Sequence, residues 1–243
     1  NIHAKWKFYN SDASEAEMCG NAARCVVRFL ADRYFEDTAT VVGFETKAGL
    51  IRGHLLDDGE NVEITMMSEP SPDLSYESKV IECEGAVLEV CYLNTGVPHA
   101  VIHVKDMEKF PVRRVGLSIM KHPAFSPSET NVTFFQPLVG QQILSTTIER
   151  GVEDQTLACG TGAVAAAAVF SEMFMQEFPV EVRVPGGELV VDMSPVTKLL
   201  VLRGEAKYVY STEIEEIPRD YESPSRYGLE SGEIDELLLS ERS

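Results

Sequence analysis

A short pattern occurs twice in this chain, 140 positions apart: Met18-Cys19-Gly20-Asn21-Ala22-Ala23-Arg24 and Ala158-Cys159-Gly160-Thr161-Gly162-Ala163. Each copy sets a cysteine, a glycine and a small polar residue at the mouth of a helix-like run. Such a repeat favours two similar halves, each entered through one Cys-Gly helix, with a ligand at their interface. It also favours one chemistry. Two thiols in equivalent settings read as an acid/base pair on opposite faces of one substrate, the arrangement that inverts a stereocentre.

The physics of a helix N-terminus supports this. Its first N–H groups have no intrahelical partner, and its dipole end carries partial positive charge. Gly20 and Gly160 let backbone approach a ligand, and Asn21 and Thr161 donate or cap. A mouth of this kind cradles a carboxylate and is expected to favour thiolate over thiol. The α-proton beside a carboxylate is very weakly acidic, so its removal without an electron-sink cofactor needs electrostatic stabilisation. No lysine stands in a recognisable pyridoxal-phosphate setting, so no cofactor is implied.

The rest of the chain alternates between strand and helix signals. Residues 5–9 read as a strand, 10–14 as a turn and 21–33 as a helix with Ala22, Val26, Phe29 and Leu30 at apolar spacing. Strands follow at 41–45, 50–56, 62–66, 79–83, 87–93 and 100–104, with a loop at 68–78. A second block gives a helix at 112–121, strands at 130–137 and 141–149, a loop at 151–158 and an Ala-rich helix at 162–177. The run Ala165–Ala168 reads as a packing face. Strands at 180–184, 188–193 and 199–210 close the pattern, and an acidic tail follows. The fold class expected is α/β (α+β), with two pseudo-symmetric lobes: residues 1–111 completed by 205–243, and residues 112–204.

Composition removes several alternatives. The 243 residues, 44% hydrophobic, bury a substantial core. A formal charge of −18 argues against nucleic acid or an anionic membrane as partner; residues 211–243 alone carry ten Asp/Glu against three Arg. Five cysteines without a CxxC pair suit neither a secreted disulfide framework nor a zinc site. No apolar run reaches the ~18 residues of a membrane span. A reducing cytosol is the expected compartment.

Single residues add weaker signals. His99, after the turn Thr95-Gly96-Val97-Pro98, suits tuning a thiol or binding a carboxylate. Glu149 suits a thiol or a ligand ammonium, and Arg150 a second carboxylate held bidentately. Asn10 and Asn131 adjoin strands near the proposed sites. Cys25, Cys83 and Cys91 read as small buried apolar residues, and His3, His54, His103 and His122 as structural.

Taken together, Phe8-Tyr9-Asn10-Ser11-Asp12, Glu17 to Cys25, Thr95 to His99, Glu129-Thr130-Asn131-Val132, Ile148 to Gly151 and Thr156 to Gly162 resemble the diaminopimelate epimerase family, in family order. The resemblance implies two lobes, each a mixed sheet wrapped round a central helix, with the site in the cleft between them. It implies Cys19 and Cys159 as the two bases, with His99 and Glu149 assisting. Asn10, Gly20, Asn21, Asn131, Glu149, Arg150, Gly160 and Thr161 would bind a small-molecule amino-acid substrate. It further implies no cofactor, no metal, a cytoplasmic homodimer, and a place in lysine and peptidoglycan precursor synthesis. Three departures stand out. The family's leading Gly-Ala-Gly-Asn-Asp-Phe segment does not occur in this sequence. Val97 stands where many members carry a substrate-binding Asn, and Ala22 where Gly is usual. A proline- or histidine-type racemase, or a non-catalytic amino-acid-binding or interaction protein, remains open at this level.

Overall fold

The structure, a computed structural model, describes residues 2–9, 15–35, 40–66 and 76–213. Asn10, most of the 68–78 loop and most of the acidic tail lie outside the described residues. In chain order the elements are β1 (Ala4–Lys5), α1 (Gly20–Tyr34), β2 (Val42–Thr46), β3 (Gly49–Leu55), β4 (Asn61–Thr65), β5 (Glu77–Cys83), β6 (Ala86–Asn94), β7 (Pro98–His103), α2 (Val112–Met120), β8 (Asn131–Pro137), β9 (Gln142–Glu149), β10 (Asp154–Gln155), α3 (Gly160–Phe174), β11 (Val180–Val184), β12 (Gly187–Met193) and β13 (Leu200–Glu205). The architecture is α+β and dominated by sheet.

Turn chemistry closes the hairpins. Glu84 and Gly85 both take positive φ (54° and 73°) between β5 and β6, as the tight two-residue connection requires. Between β3 and β4 the Asp58 carboxylate accepts the Glu60 and Asn61 N–H groups at 2.9 and 2.8 Å. The strands join in the order β1-β2-β3-β4-β13-β12-β11-β9-β8-β7-β6-β5, with β10 paired to β9 off that path. Pairs β1/β2, β7/β8 and β9/β11 are parallel and the others antiparallel. The position expected to part the two lobes, residue 111, falls between β7 and β8, which pair from His99↔Asn131 to His103↔Phe135. A second, small unit holds Tyr9 and Glu15, joined by an antiparallel bridge, and residues 208–213.

Two cores fill this frame. The larger gathers α1 and α3 with Phe44, Ile51, Ile64, Val182, Val191 and Leu202. The smaller gathers α2 with Ile81, Val90, Phe134 and Ile148. Helix α3 is buried without a break from Gly160 to Phe170, so its alanines serve close packing on every side rather than along one stripe. Helix α1 buries Gly20, Ala23, Arg24, Val27, Leu30 and Ala31. That stripe is displaced from the expected Ala22–Val26–Phe29–Leu30 face, and Phe29 is 43% exposed. Cys25 consequently points to solvent, which corrects its reading as a buried residue. Cys83 and Cys91 are buried as expected.

Several element boundaries differ from expectation; helix α3, expected at 162–177, runs Gly160–Phe174, and β5 starts at Glu77. The first strand is only Ala4–Lys5, although the Trp6 N–H still bonds to the Glu45 carbonyl at 3.1 Å. The 151–158 loop contains β10, which the pattern hides because both of its residues are exposed. The last strand stops at Glu205, which pairs with Asn61, the first residue of β4; one more bond, from the Ala206 N–H to the Glu60 carbonyl at 3.2 Å, follows it.

Candidate active site

Cys19 and Cys159 occupy the same local position. Each is the residue before its helix, with extended backbone (φ −141°, ψ 111° and φ −117°, ψ 108°). The two helix mouths meet at their glycines. A Cβ on Gly20 would lie 3.2 Å from the Gly160 Cα and 3.2 Å from Leu202 Cδ2. One on Gly160 would lie 2.9 Å from Leu202 Cδ2 and 3.1 Å from the Gly20 Cα. Glycine is therefore what lets α1 and α3 touch end to end. The thiols sit one residue upstream of that contact, and the Glu149 carboxylate at the end of β9 acts on both of them. The Asn21 Nδ2 donates to the Ala158 carbonyl at 3.4 Å, a further bond between the two mouths.

The electrostatics differ in sign from the sequence expectation. Burial is the largest influence on the Cys19 thiol and pushes it up. The Ala22 and Asn21 N–H groups oppose that, Glu149 adds to it, and the Arg24 guanidinium works against it. Neither cysteine makes a well-formed capping hydrogen bond, so the helix mouth helps the thiolate without dominating. Cys159 is pushed up to about 12, first by burial and then by Glu149, against the Thr161 hydroxyl and the Gly162 N–H. Desolvation thus outweighs the dipole at both mouths, and both thiols are protonated near neutral pH in the ligand-free protein.

His99 is fully buried, and the Thr161 hydroxyl stands between its ring and the Cys159 thiol. Its Nε2 is 2.9 Å from the Thr161 Oγ1, and its Nδ1 is 2.9 Å from the Thr133 Oγ1. Thr161 Oγ1 in turn lies 3.4 Å from the Cys159 Sγ, and Thr133 Oγ1 lies 3.0 Å from Thr147 Oγ1. Burial first, then the charge of Arg150, lowers the imidazole to about 3, so it is neutral. Gly162 makes room for this chain, since a Cβ there would strike Thr147 Oγ1 and come within 2.9 Å of Thr133 Oγ1. The Thr95 hydroxyl donates to the Thr161 carbonyl at 2.9 Å and holds the first turn of α3 from the β6–β7 turn.

Of the remaining expected residues, Asn131 starts β8, Glu149 ends β9 and Arg150 follows it. Asn131 and Arg150 lock together, the Arg150 N–H donating to Asn131 Oδ1 at 2.9 Å, while the exposed guanidinium donates to the Ser128 carbonyl at 2.6 Å. Glu149 accepts from the Thr156 hydroxyl at 2.6 Å. Asn10 lies outside the described residues. The sequence reading passed over Arg24, a buried cation that donates to Asn21 Oδ1 at 2.8 Å and to the Gly20 and Glu205 carbonyls. It also passed over Thr133 and Thr147. Their signal was present in the register, where Thr133 pairs with Thr147 at buried positions of two central strands. Among the described residues no group of three or more His, Cys, Asp or Glu side chains has metal-holding geometry.

Comparison with known proteins decides the lineage. The family model for diaminopimelate epimerase matches residues 1–71 and 91–209. The chain belongs to the diaminopimelate epimerase family. It is 40% identical over 219 residues to the diaminopimelate epimerase of Aquifex aeolicus (strain VF5), covering 89% of this chain and 76% of that one. It is 32% identical over 224 residues to that of Ectopseudomonas mendocina (strain ymp), covering 88% and 79%. Among solved structures it is similar to a probable proline racemase from Agrobacterium radiobacter K84, with a TM-score of 0.62, 18% identity and coverage of 95% and 76%. A predicted epimerase from Pseudomonas aeruginosa gives a TM-score of 0.59 at 12% identity, covering 86% and 80%. These structural likenesses bear on the fold alone, an α+β architecture dominated by sheet. No described helix is long and apolar enough to cross a membrane.

Proposed function

We infer that this chain is a cofactor-independent epimerase that interconverts LL- and meso-diaminopimelate by a two-base thiol mechanism. The observation that carries the reading is the end-to-end meeting of α1 and α3 at Gly20 and Gly160, with one thiol at each mouth. The substrate's α-carboxylate sits on the N–H groups of both mouths, the Gly20–Asn21 and Gly160–Thr161 backbones. One of Cys19 and Cys159 acts as thiolate and takes the α-proton. The other acts as thiol and delivers its own proton to the opposite face, so the centre inverts and the enzyme is left in the reciprocal protonation state. The charge that develops beside the carboxylate falls in the field of two helix dipoles.

Glu149 accounts for how a raised thiol becomes reactive. Its charge disfavours both thiolates. A substrate ammonium held against Glu149 cancels that charge, and lobe closure removes competing water. Asn10, Asn131 and Arg150 take the distal amino-acid end, where the exposed Arg150 guanidinium suits a second carboxylate. The cleft between two lobes, a cytoplasmic homodimer, and roles in lysine and peptidoglycan precursor synthesis complete the reading; it needs no nucleic-acid partner.

The test is turnover of diaminopimelate, proline and histidine by the wild type and by the Cys19→Ala and Cys159→Ala variants. Diaminopimelate alone is expected to be turned over, with each variant at least ~10³-fold slower, as for removal of one member of an acid/base pair. Retained epimerisation in either variant rejects the two-thiol assignment, and preference for proline or histidine rejects the substrate.

A further inference from the structure

The geometry points to a second layer behind Cys159: we propose that the Thr161 hydroxyl positions this thiol, and that the tautomer of buried His99 is tied to whether Cys159 is thiol or thiolate. Its significance for turnover rests on the two-thiol reading, but the coupling itself does not. Four hydrogen-bond contacts form one chain, Cys159 Sγ–Thr161 Oγ1–His99 Nε2, then His99 Nδ1–Thr133 Oγ1–Thr147 Oγ1. Every member behind the sulfur is buried, with Thr161 5%, Thr147 3% and Thr133 and His99 0% exposed. The bonds of its interior members, Thr161, His99 and Thr133, therefore have to be satisfied within the chain itself.

Each hydroxyl has one proton and a neutral imidazole has one N–H, so the direction of one bond fixes the rest. A thiolate at Cys159 only accepts. The Thr161 O–H then turns to the sulfur, its oxygen accepts from His99 Nε2–H, Nδ1 accepts from the Thr133 O–H, and Thr133 accepts from Thr147. A thiol reverses the order. Cys159 S–H donates to the Thr161 oxygen, the Thr161 O–H donates to Nε2, Nδ1–H donates to Thr133, and Thr133 donates to Thr147. If only the sulfur changes, two lone pairs or two protons face each other at Thr161 in a buried site. The ring remains neutral in both arrangements, and the proton of Cys159 goes to or comes from the substrate side rather than through the chain.

The surrounding charges do not perform this job. Glu149 on β9 raises both thiols and at Cys159 also offers the S–H a second acceptor, the smallest of the five influences there, and Arg150 acts on His99 from outside the chain. At the facing mouth Cys19 has Arg24 on its own helix instead of a hydroxyl–imidazole chain. The two thiols are thus equivalent in backbone but differ in what stands behind them. His99 acts through Thr161 and is a positioning residue, although the family resemblance implied a more direct role.

Nitrogen-15 NMR of histidine-labelled protein reads the tautomer without any substrate. In the resting wild type near neutral pH, where Cys159 is a thiol, His99 is expected as the Nδ1–H form. In Cys159→Asp, whose carboxylate only accepts, the expected form is Nε2–H. Thr161→Val in the Cys159→Asp background is expected to lose the switch, and Thr161→Ser to keep it. Turnover by Thr161→Val is expected to fall ~10–100-fold in kcat with KM nearly unchanged, and Thr161→Ser to stay within ~3-fold. Nε2–H in the resting wild type, a spectrum that does not respond to Cys159→Asp, or Thr161→Val turning over like wild type overturns the proposal. If diaminopimelate is not turned over at all but the tautomer switches as described, the substrate reading fails and this one stands.

Discussion

At the scale of single residues, the thiols of Cys19 and Cys159 combine similar extended backbone with unequal surroundings. Cys159 is pushed up to about 12, mainly by burial, whereas Cys19 is raised with Arg24 and two helix N–H groups pulling against it. Thiolate is the nucleophile, so a raised thiol reacts slowly at neutral pH and faster as pH rises toward its pKa. Peptide mapping of iodoacetamide-treated, ligand-free protein is therefore expected to show Cys159 labelling still climbing about tenfold per pH unit between pH 7 and 9, with Cys19 labelled ahead of it. A Cys159 rate that levels off near pH 8 contradicts this. The positions of both cysteines were legible in the sequence because a doubled motif is hard to explain by packing. The sign of their pKa shift was not, because a linear motif displays the helix dipole but not the desolvation set by residues far along the chain. Thr133 and Thr147 escaped notice for the same reason: each is an ordinary strand threonine until β8 and β9 are placed side by side.

At the scale of elements, α1 and α3 meet at the candidate site because each begins with a residue that has no side chain. Their contact is tight enough that Gly160→Ala sets a Cβ 3.1 Å from the Gly20 Cα, which is backbone and does not swing aside. The variant is expected to lose about 1–3 kcal/mol of stability by overpacking, seen as a lower urea midpoint at unchanged slope, and to lose more turnover than stability because the two mouths separate. A midpoint equal to that of wild type would show that the helices do not meet there. Strands and helices were readable from period and turn residues, including β11 at its full length. The buried stripe of α1 was displaced, because Arg24 takes a buried position that a hydrophobic pattern assigns to an apolar residue. The same shift turns Cys25 outward.

At the scale of the whole molecule, long-range pairing assembles what local patterning only outlines. β13, near the end of the described chain, pairs with β4 on one side and β12 on the other. Arg203 fastens both neighbours, reaching Glu63 at 2.6 Å and Asp192 at 2.8 Å. Sheet order of this kind is invisible to a periodicity argument, which sees strands but not partners, whereas membership of the diaminopimelate epimerase family was visible because motif residues from both Cys-Gly segments appear in order. The central claim is that two thiols flank one carbon, and the fate of the transferred hydrogen tests it most directly. Initial turnover of LL-diaminopimelate in deuterium oxide should give meso product carrying one solvent deuterium at the inverted centre, while recovered LL substrate remains protiated. Product that retains the substrate's own hydrogen at that centre would mean a single group both takes and returns it, and would contradict the account.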